Sequence, residues 1–443
     1  MALAIRIAFV AICSVPSLQA QSQVWIVDDA AGPGVDFVGL QAGIDGASDG
    51  DILLVKSGVY PGFHVLGKGL TITGDTSALI AISSGSSVRG LGPAQHVVLQ
   101  RLGLLQGPHA SATVLAAEGL VIKNCAGSVW IGDLEVAGGN GTLGTFSNPG
   151  IAHGSFGIAI ENASAVVLES VVVRGGHGAD LEDEDVSHFP GSGASAARAQ
   201  GATLVAHACQ FRGGDGGHNL DTDPAPGGAG GHGLHVLVGS AHVAGSLLAG
   251  GKGGFGGDEG GFGGGCGGGG NGGDGLRIEG PAASASTLDL SASGGTPGGG
   301  GLGGCSPGSP GLPIRVVAGG SHVPLAGPSI DLALPSPLRE GEPAHVGFAA
   351  AAGWHGWIAY SATPAAVELP GWIGVLVLAP PAVLVPLGVL PAGGSSSIPF
   401  TPGELGAGIE SVLLRAQVVA LDPATLQVTL GAPSALVLLD AGL

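Results

Sequence analysis

The chain has 443 residues, 89 of them Gly, and 14 Lys and Arg stand against 33 Asp and Glu for a formal net charge of −19. Basic residues this few and scattered exclude a nucleic-acid binder that works by counterion release. A hydrophobic content of 44% argues against disorder, and Gly without a strict period of three argues against collagen.

Residues 1–20 read as an export signal: Arg6, an apolar run from Ile7 to Val15, then small residues ending at Ala20. The run is too short for a membrane span. A lipoprotein reading would use Cys13, but Ile12 before it is too bulky for that cleavage. The expected location is secreted or at the cell surface, where disulfides are stable. Cys125, Cys209, Cys266 and Cys305 follow, without the close pair spacing of a zinc or redox motif.

Val24–Val27 predicts a strand. Asp36 is placed to cap a short helix with Phe37, Leu40 and Ile44 on one face. A strand at Asp51–Val55, a turn at Lys56–Gly58, and further strands at Val59–Tyr60, Phe63–Val65 and Gly69–Asp75 complete this region. The stretch 24–82 resembles the opening of right-handed parallel β-helix proteins of the pectin lyase-like group. The matching residues are Gln41–Ile44, Gly50-Asp51, Gly58-Val59-Tyr60 and Lys68–Gly74. The resemblance implies a β-helix whose open first edge is covered by the helix.

A repeat runs through the middle of the chain. Gly-Gly pairs begin at 138, 175, 213, 250 and 294, separated by 37, 38, 37 and 44 residues. Two places before each pair stand Val136, Val173, Phe211, Leu248 and Ala292. Four places before stand Leu134, Val171, Cys209, Ser246 and Leu290. This period of two predicts one short, half-buried strand per copy, with Cys209 acting as a small hydrophobe. A second strand opening, Gly-apolar-x-apolar, is predicted at Gly157, Gly193, Gly233, Gly275 and Gly311. One such copy cannot bury its apolar face alone, so the copies stack and like strands pair in parallel. Ordering Gly is entropically expensive, so the Gly-rich bulges between strands are either mobile or packed on each other.

Composition shifts near residue 319. Strands are predicted at 329–334, 344–350, 356–360, 373–378, 411–420 and 426–430, which suggests a small β-sandwich. Residues 373–391 lack charge, but Pro380, Pro381, Pro386 and Pro391 make them strands and turns rather than a membrane span. Trp354, Trp357 and Trp372 are core residues on this reading, with an aromatic sugar platform as the alternative. The expected fold class is therefore all-β: a right-handed parallel β-helix with Gly-rich bulges over 21–318, followed by the sandwich over 319–443.

Candidate chemistry is sparse. The pectin lyase-like group contains lyases, hydrolases, esterases and non-enzymes, so the resemblance implies architecture rather than activity. The paired Gln and Asp motifs and the Arg-Pro-Trp segment of pectin methylesterases are missing. Arg174, Arg198, Arg212 and Arg277 lack the adjacent Asp array of a Ca²⁺-dependent pectate lyase. Asn219-Leu220-Asp221, Gly231-His232-Gly233 and Arg277-Ile278-Glu279 are similar in order to polygalacturonase motifs. The Asp-Asp pair between them is missing, Glu279 replaces the final Lys, and Asp221 and Asp223 fall in a loop.

No catalytic or cofactor-binding residue is assigned. Gly175–Leu181 matches one copy of a nonapeptide that binds Ca²⁺ only in tandem. With the acids that follow, Asp180, Glu182, Asp183 and Asp185 form the candidate metal set, for Ca²⁺, the alternative being a solvated acidic loop. His177, His188, His218 and His232 have no metal-ligand spacing. Cys266 and Cys305 lie in bulges of consecutive coils and predict a disulfide. The function expected is a structural, adhesive or carbohydrate-binding role toward polysaccharide or cell-surface components, without nucleic acid or a membrane span. The alternative is a polysaccharide-active enzyme, a polyuronide lyase or glycoside hydrolase.

Overall fold

The computed structural model describes residues 22–75, 80–82, 85–105, 117–142, 153–181, 189–220, 224–258, 265–302 and 304–443. The predicted export signal lies outside them. Val24–Asp28, Ile52–Val55, Leu70–Gly74, His96–Gln100, Leu120–Gly132, Ile158–Glu169, Ala197–His207 and Leu234–Ala244 follow one another in a single parallel sheet. Two broken strands continue it, Leu276–Glu279 with Ala283–Leu288, then Ile314–Val317 with Ser321–Leu325. The stack thus runs on to Leu325, past the composition change at 319. A second parallel sheet stacks the short strands Gly58–Tyr60, Ile80–Ile82, Gly103–Leu104, Glu135–Ala137, Val172–Arg174, Gln210–Arg212, Leu247–Ala249 and Ser291–Ser293.

The register of the short sheet sets Val136, Val173, Phe211, Leu248 and Ala292 side by side, and the first four are fully buried. Ile131, Leu168, Ala206 and Val243 form a matching buried column in the long sheet. One apolar cluster runs through all the coils, so each coil completes its neighbour's core. The long strands bend at register shifts, near residues with positive φ: Asn124, Asn162, Gly201 and Gly239.

Two expectations are corrected. Ile158 pairs with Ala197, not Ala194, and Leu276 pairs with Ile314, not Leu312, so the strands expected from Gly193 and Gly311 begin later, and both glycines belong to bulges. The helix spans Leu40–Gly46 and buries Leu40, Gly43 and Ile44. Asp36 does not cap it: its carboxylate accepts the Ile26 N–H at 2.8 Å, and Phe37–Val38 joins the long sheet. The helix is held instead at its C-terminal end. Lys68 Nζ donates to the carbonyls of Ile44 and Ala47 at 2.8 and 2.6 Å, where a cation meets the negative pole of the helix dipole.

The bulges form a two-layer slab. Each leaves its coil after the Gly-Gly pair as an outgoing arm and comes back to the long sheet as a returning arm. Backbone bonds in the arms recur every three residues, the period of a polyproline II helix. The first residue of a triplet donates to the next coil in the same layer, as Gly250 does to Ser293 O and Gly253 to Thr296 O. The second donates to the other layer, as Gly251 does to Gly231 O and Gly254 to Gly228 O. The third faces outward, and a side chain one coil earlier accepts its N–H. Asp215 Oδ1 takes Lys252 N–H at 2.7 Å and His218 Nδ1 takes Phe255 N–H at 3.0 Å.

The triplet thereby pairs its backbone donors without a conventional strand ladder. A Cβ on Gly251 or Gly254 would stand 2.0 or 1.9 Å from a carbonyl oxygen of the preceding coil in the same layer, and one on Gly250 or Gly253 would stand 2.0 Å from a carbonyl oxygen of the other layer. Side chains therefore fit at third positions, where short acceptors such as Asn140, His177, Asp180 and Asn271 repeat the same bond.

Beyond Leu325, Asp331–Ala333, Ala344–Ala349 and Ser395–Phe400 form a three-stranded antiparallel sheet. A larger sheet centres on the antiparallel strands His355–Ser361, Val383–Val389, Ser411–Leu421 and Val428–Leu439. Ile330, Phe348, Tyr360 and Leu436 belong to their common core. The module folds back onto the outer face of the long sheet. Val98, Trp130, Val167 and Val205 pack there against Val377, Val419, Leu430 and Ala435. Gln100 joins the two parts by donating to Ala435 O at 2.7 Å. No helix among the described residues is long and apolar enough to cross a membrane.

Candidate functional site at the slab corner

Of the candidate metal set, Asp180 is described, whereas Glu182, Asp183 and Asp185 lie outside the described residues. Asp180 Oδ1 accepts the His218 N–H at 2.6 Å and so serves the third-position ladder. Among the described residues no group of three or more His, Cys, Asp or Glu is arranged to hold a metal ion. Asp221 and Asp223 also lie outside the described residues. Cys266 and Cys305 are bonded, with Cα atoms 5.6 Å apart, and tie two returning arms together. Cys125 and Cys209 are buried free thiols. Trp354 packs against the module's core and Trp357 against the seam with the long sheet, while Trp372 is 42% exposed.

Polar groups concentrate in the angle between the returning arms and the long sheet. Arg198, His235, Arg277 and Arg315 occupy one register row, one residue per coil. Arg198 donates to Glu161 Oε1 at 2.8 Å and lies over the Phe156 ring at 4.6 Å. Lys123 reaches the other oxygen of Glu161 at 2.7 Å. Two coils beyond Arg198, Glu279 Oε2 accepts from Arg277 Nε at 2.8 Å and lies 3.1 Å from His235 Nε2 of the coil between.

Asp274 fixes the inner wall of this angle. It is 2% exposed, and its Oδ1 accepts from Arg315 Nε and from the Leu312 N–H, both at 2.9 Å. Its own N–H donates to His232 Nδ1 at 2.9 Å, which places the His232 proton on Nε2. Burial pushes His232 down to about 4, with neighbouring His235 adding to the shift. His235 is also lowered, by burial first. Glu279 is held below the usual carboxylate range, chiefly by its bond from Arg277, and Glu161 chiefly by Lys123. At neutral pH the angle thus presents fixed guanidinium and carboxylate groups beside neutral imidazoles.

Stacking therefore pairs Arg198, isolated along the chain, with Glu161 of the preceding coil, while Arg277 meets Glu279 on its own strand. The structure also brings His232 to Asp274 and His235, within the field of Arg277. Asp274 and Arg315 escaped the sequence reading. Their signal was present in the strand register, since Arg198, His235, Arg277 and Arg315 each follow the first residue of an aligned strand. Comparison with known proteins finds no matching family model, no matching curated protein and no matching solved structure.

Proposed function

We propose that the protein is an exported β-helix of the right-handed, pectin lyase-like kind, with a C-terminal sandwich, that binds a linear acidic polysaccharide without cleaving it. The observation that carries this reading is the row Arg198, His235, Arg277 and Arg315 in the slab corner. Successive members come from adjacent strands spaced ~4.8 Å apart, so an extended polymer lying along the stack meets a donor at each coil. The paired carboxylates hold the guanidinium planes in place, and Arg suits bidentate bonding to carboxylate. Secretion or display at the cell surface follows from the export signal and puts the protein among such polymers.

The test is affinity electrophoresis through gels containing pectin, alginate or a neutral glucan, with and without Ca²⁺. Retardation by the polyuronides that disappears in Arg198→Ala and Arg277→Ala supports the reading. Retardation unchanged in both variants, or abolished only by Trp372→Ala, moves binding elsewhere. Depolymerisation of either polyuronide by the purified protein would replace binding with the enzymatic alternative.

A further inference from the structure

The last coil departs from the rule that governs first positions. Gly253, Gly269, Gly272 and Gly275 each donate an N–H to the coil that follows. Carried onto the last coil, the same phase falls on Pro307, Pro310 and Pro313 along the returning arm, and on Pro297 between Gly294 and Gly300 along the outgoing arm. The neighbouring bonds confirm the phase. Second-position Gly298, Gly308 and Gly311 still donate across the layers, to Gly270, Gly298 and Gly295. The third-position N–H groups of Ser309 and Leu312 still bond to Asn271 and Asp274.

The long sheet repeats the pattern. Gly245 donates onward to Leu288 O, so by alternation Val243 and its partner Thr287 also point onward, and Thr287 pairs with Pro324. Pro307, Pro310, Pro313 and Pro324 are exposed and Pro297 is half-buried.

We propose that this edge is an interaction surface closed by proline, and that the partner it excludes is the glycine-rich arm of a second copy of this chain. An unblocked last arm would present one free N–H per triplet, every ~9 Å, as a template for another extended chain. The matching acceptors are carbonyls in the same phase, which this chain's own arms carry. Proline removes the donor and puts a ring in its place. Pro190 and Pro224 hold the same phase at the outer starts of inner arms, so proline is also accepted there as a stiffener. On the last returning arm it fills successive first positions, from 307 to 313.

Two variants separate blocking from stiffening. In the first, Pro297→Gly, Pro307→Gly and Pro310→Gly are combined. In the second, Ser306→Pro, Pro307→Ser, Ser309→Pro and Pro310→Ser keep the proline content but move it to third positions. Static light scattering across a concentration series is the readout, with circular dichroism and the intact Cys266–Cys305 bond as checks of folding. Both variants are expected at least to double their weight-average mass where the wild type does not. A folded second variant whose mass follows the wild type overturns the proposal and leaves proline as a stiffener. Should either variant misfold, Pro310→Gly alone, in the middle of the exposed arm, decides by the same criterion.

Discussion

Replacing Gly253 by Ala tests whether the slab is held by backbone contact between its layers. The new methyl carbon would lie 2.0 Å from Gly270 O and 2.5 Å from Gly270 C. A carbon and a carbonyl oxygen approach no closer than ~3.3 Å even in favourable contacts, so the layers must part. No flexible side chain can yield, because both atoms are backbone. Parting the layers breaks the bonds from Gly254 N–H to Gly228 O and from Gly270 N–H to Gly254 O. Each buried amide left unpaired costs about 1–3 kcal/mol, so the expected loss for the two is about 2–6 kcal/mol.

Gly268→Ala is the control. Gly268 occupies a third position, and its added Cβ meets nothing closer than Ser306 O at 3.6 Å. Reduced freedom in the unfolded chain makes this change neutral or stabilising by about 0.4–1 kcal/mol. The damage is local, so native-state hydrogen exchange of the amides in 250–258 and 265–274 is the appropriate readout. Equal protection of these amides in the two variants would refute the layered account.

Other outcomes follow from the seams of the fold. Trp130 is 3% exposed beneath the C-terminal module, and its buried Nε1–H finds no acceptor among the described residues. Trp130→Phe should change stability by less than about 1 kcal/mol in denaturant titrations, whereas Trp130→Ala should cost about 3–5 kcal/mol. Burial holds His207 and His242 down to about 4, below the ~6.5 of the unfolded chain. The unfolded chain therefore takes up protons first, and stability should fall as pH drops from ~6.5 towards 4 and then level off. Burial instead holds Glu169 up to about 8, with Asp133 adding to the shift, so stability should also fall as pH rises from ~4.3 towards 8. A His207→Leu, His242→Leu chain should show a shallower acid limb, the remainder coming from His96 and His232, which burial also holds down to about 4, and should keep the alkaline one; an unchanged acid limb contradicts the assignment. The Cys266–Cys305 bond spans 39 residues. On chain entropy its removal by Cys266→Ser, Cys305→Ser should cost about 4 kcal/mol, read as a lower thermal midpoint.

The coils were legible because a shared core demands apolar residues at a fixed spacing. Val136, Val173, Phe211 and Leu248 declare their column without any coordinates. Register was harder on the returning side, where Ala196 stands at the place held by Gly157 and Gly233 in other coils. The helix start was misread because Asp36 spends its carboxylate on Ile26, a partner not adjacent in sequence. The slab was missed for a different reason. Its signal is the lack of side chains at two positions in three, confined to short arms and interrupted at every tip. A search for one strict period along the chain passes over it. Asn, Asp and His at third positions then look incidental, although each is an acceptor for the next coil. Pairs such as Arg198–Glu161 and Arg315–Asp274 were illegible because their members come from different coils, whereas Arg277 and Glu279 share one strand.

The counting of the slab in threes has a consequence for how its size can change. One extra residue inserted midway along an arm would turn every later inward amide outward, and the mismatch would reach the coils on either side. Three extra residues restore the frame and simply push the tip further out. The paired arms can therefore grow or shrink only in whole-triplet steps. Single-residue differences, such as the 19 and 20 residues from Gly138 to Gly157 and from Gly213 to Gly233, fall outside the triplet pairing, and the coiled body beneath keeps its dimensions.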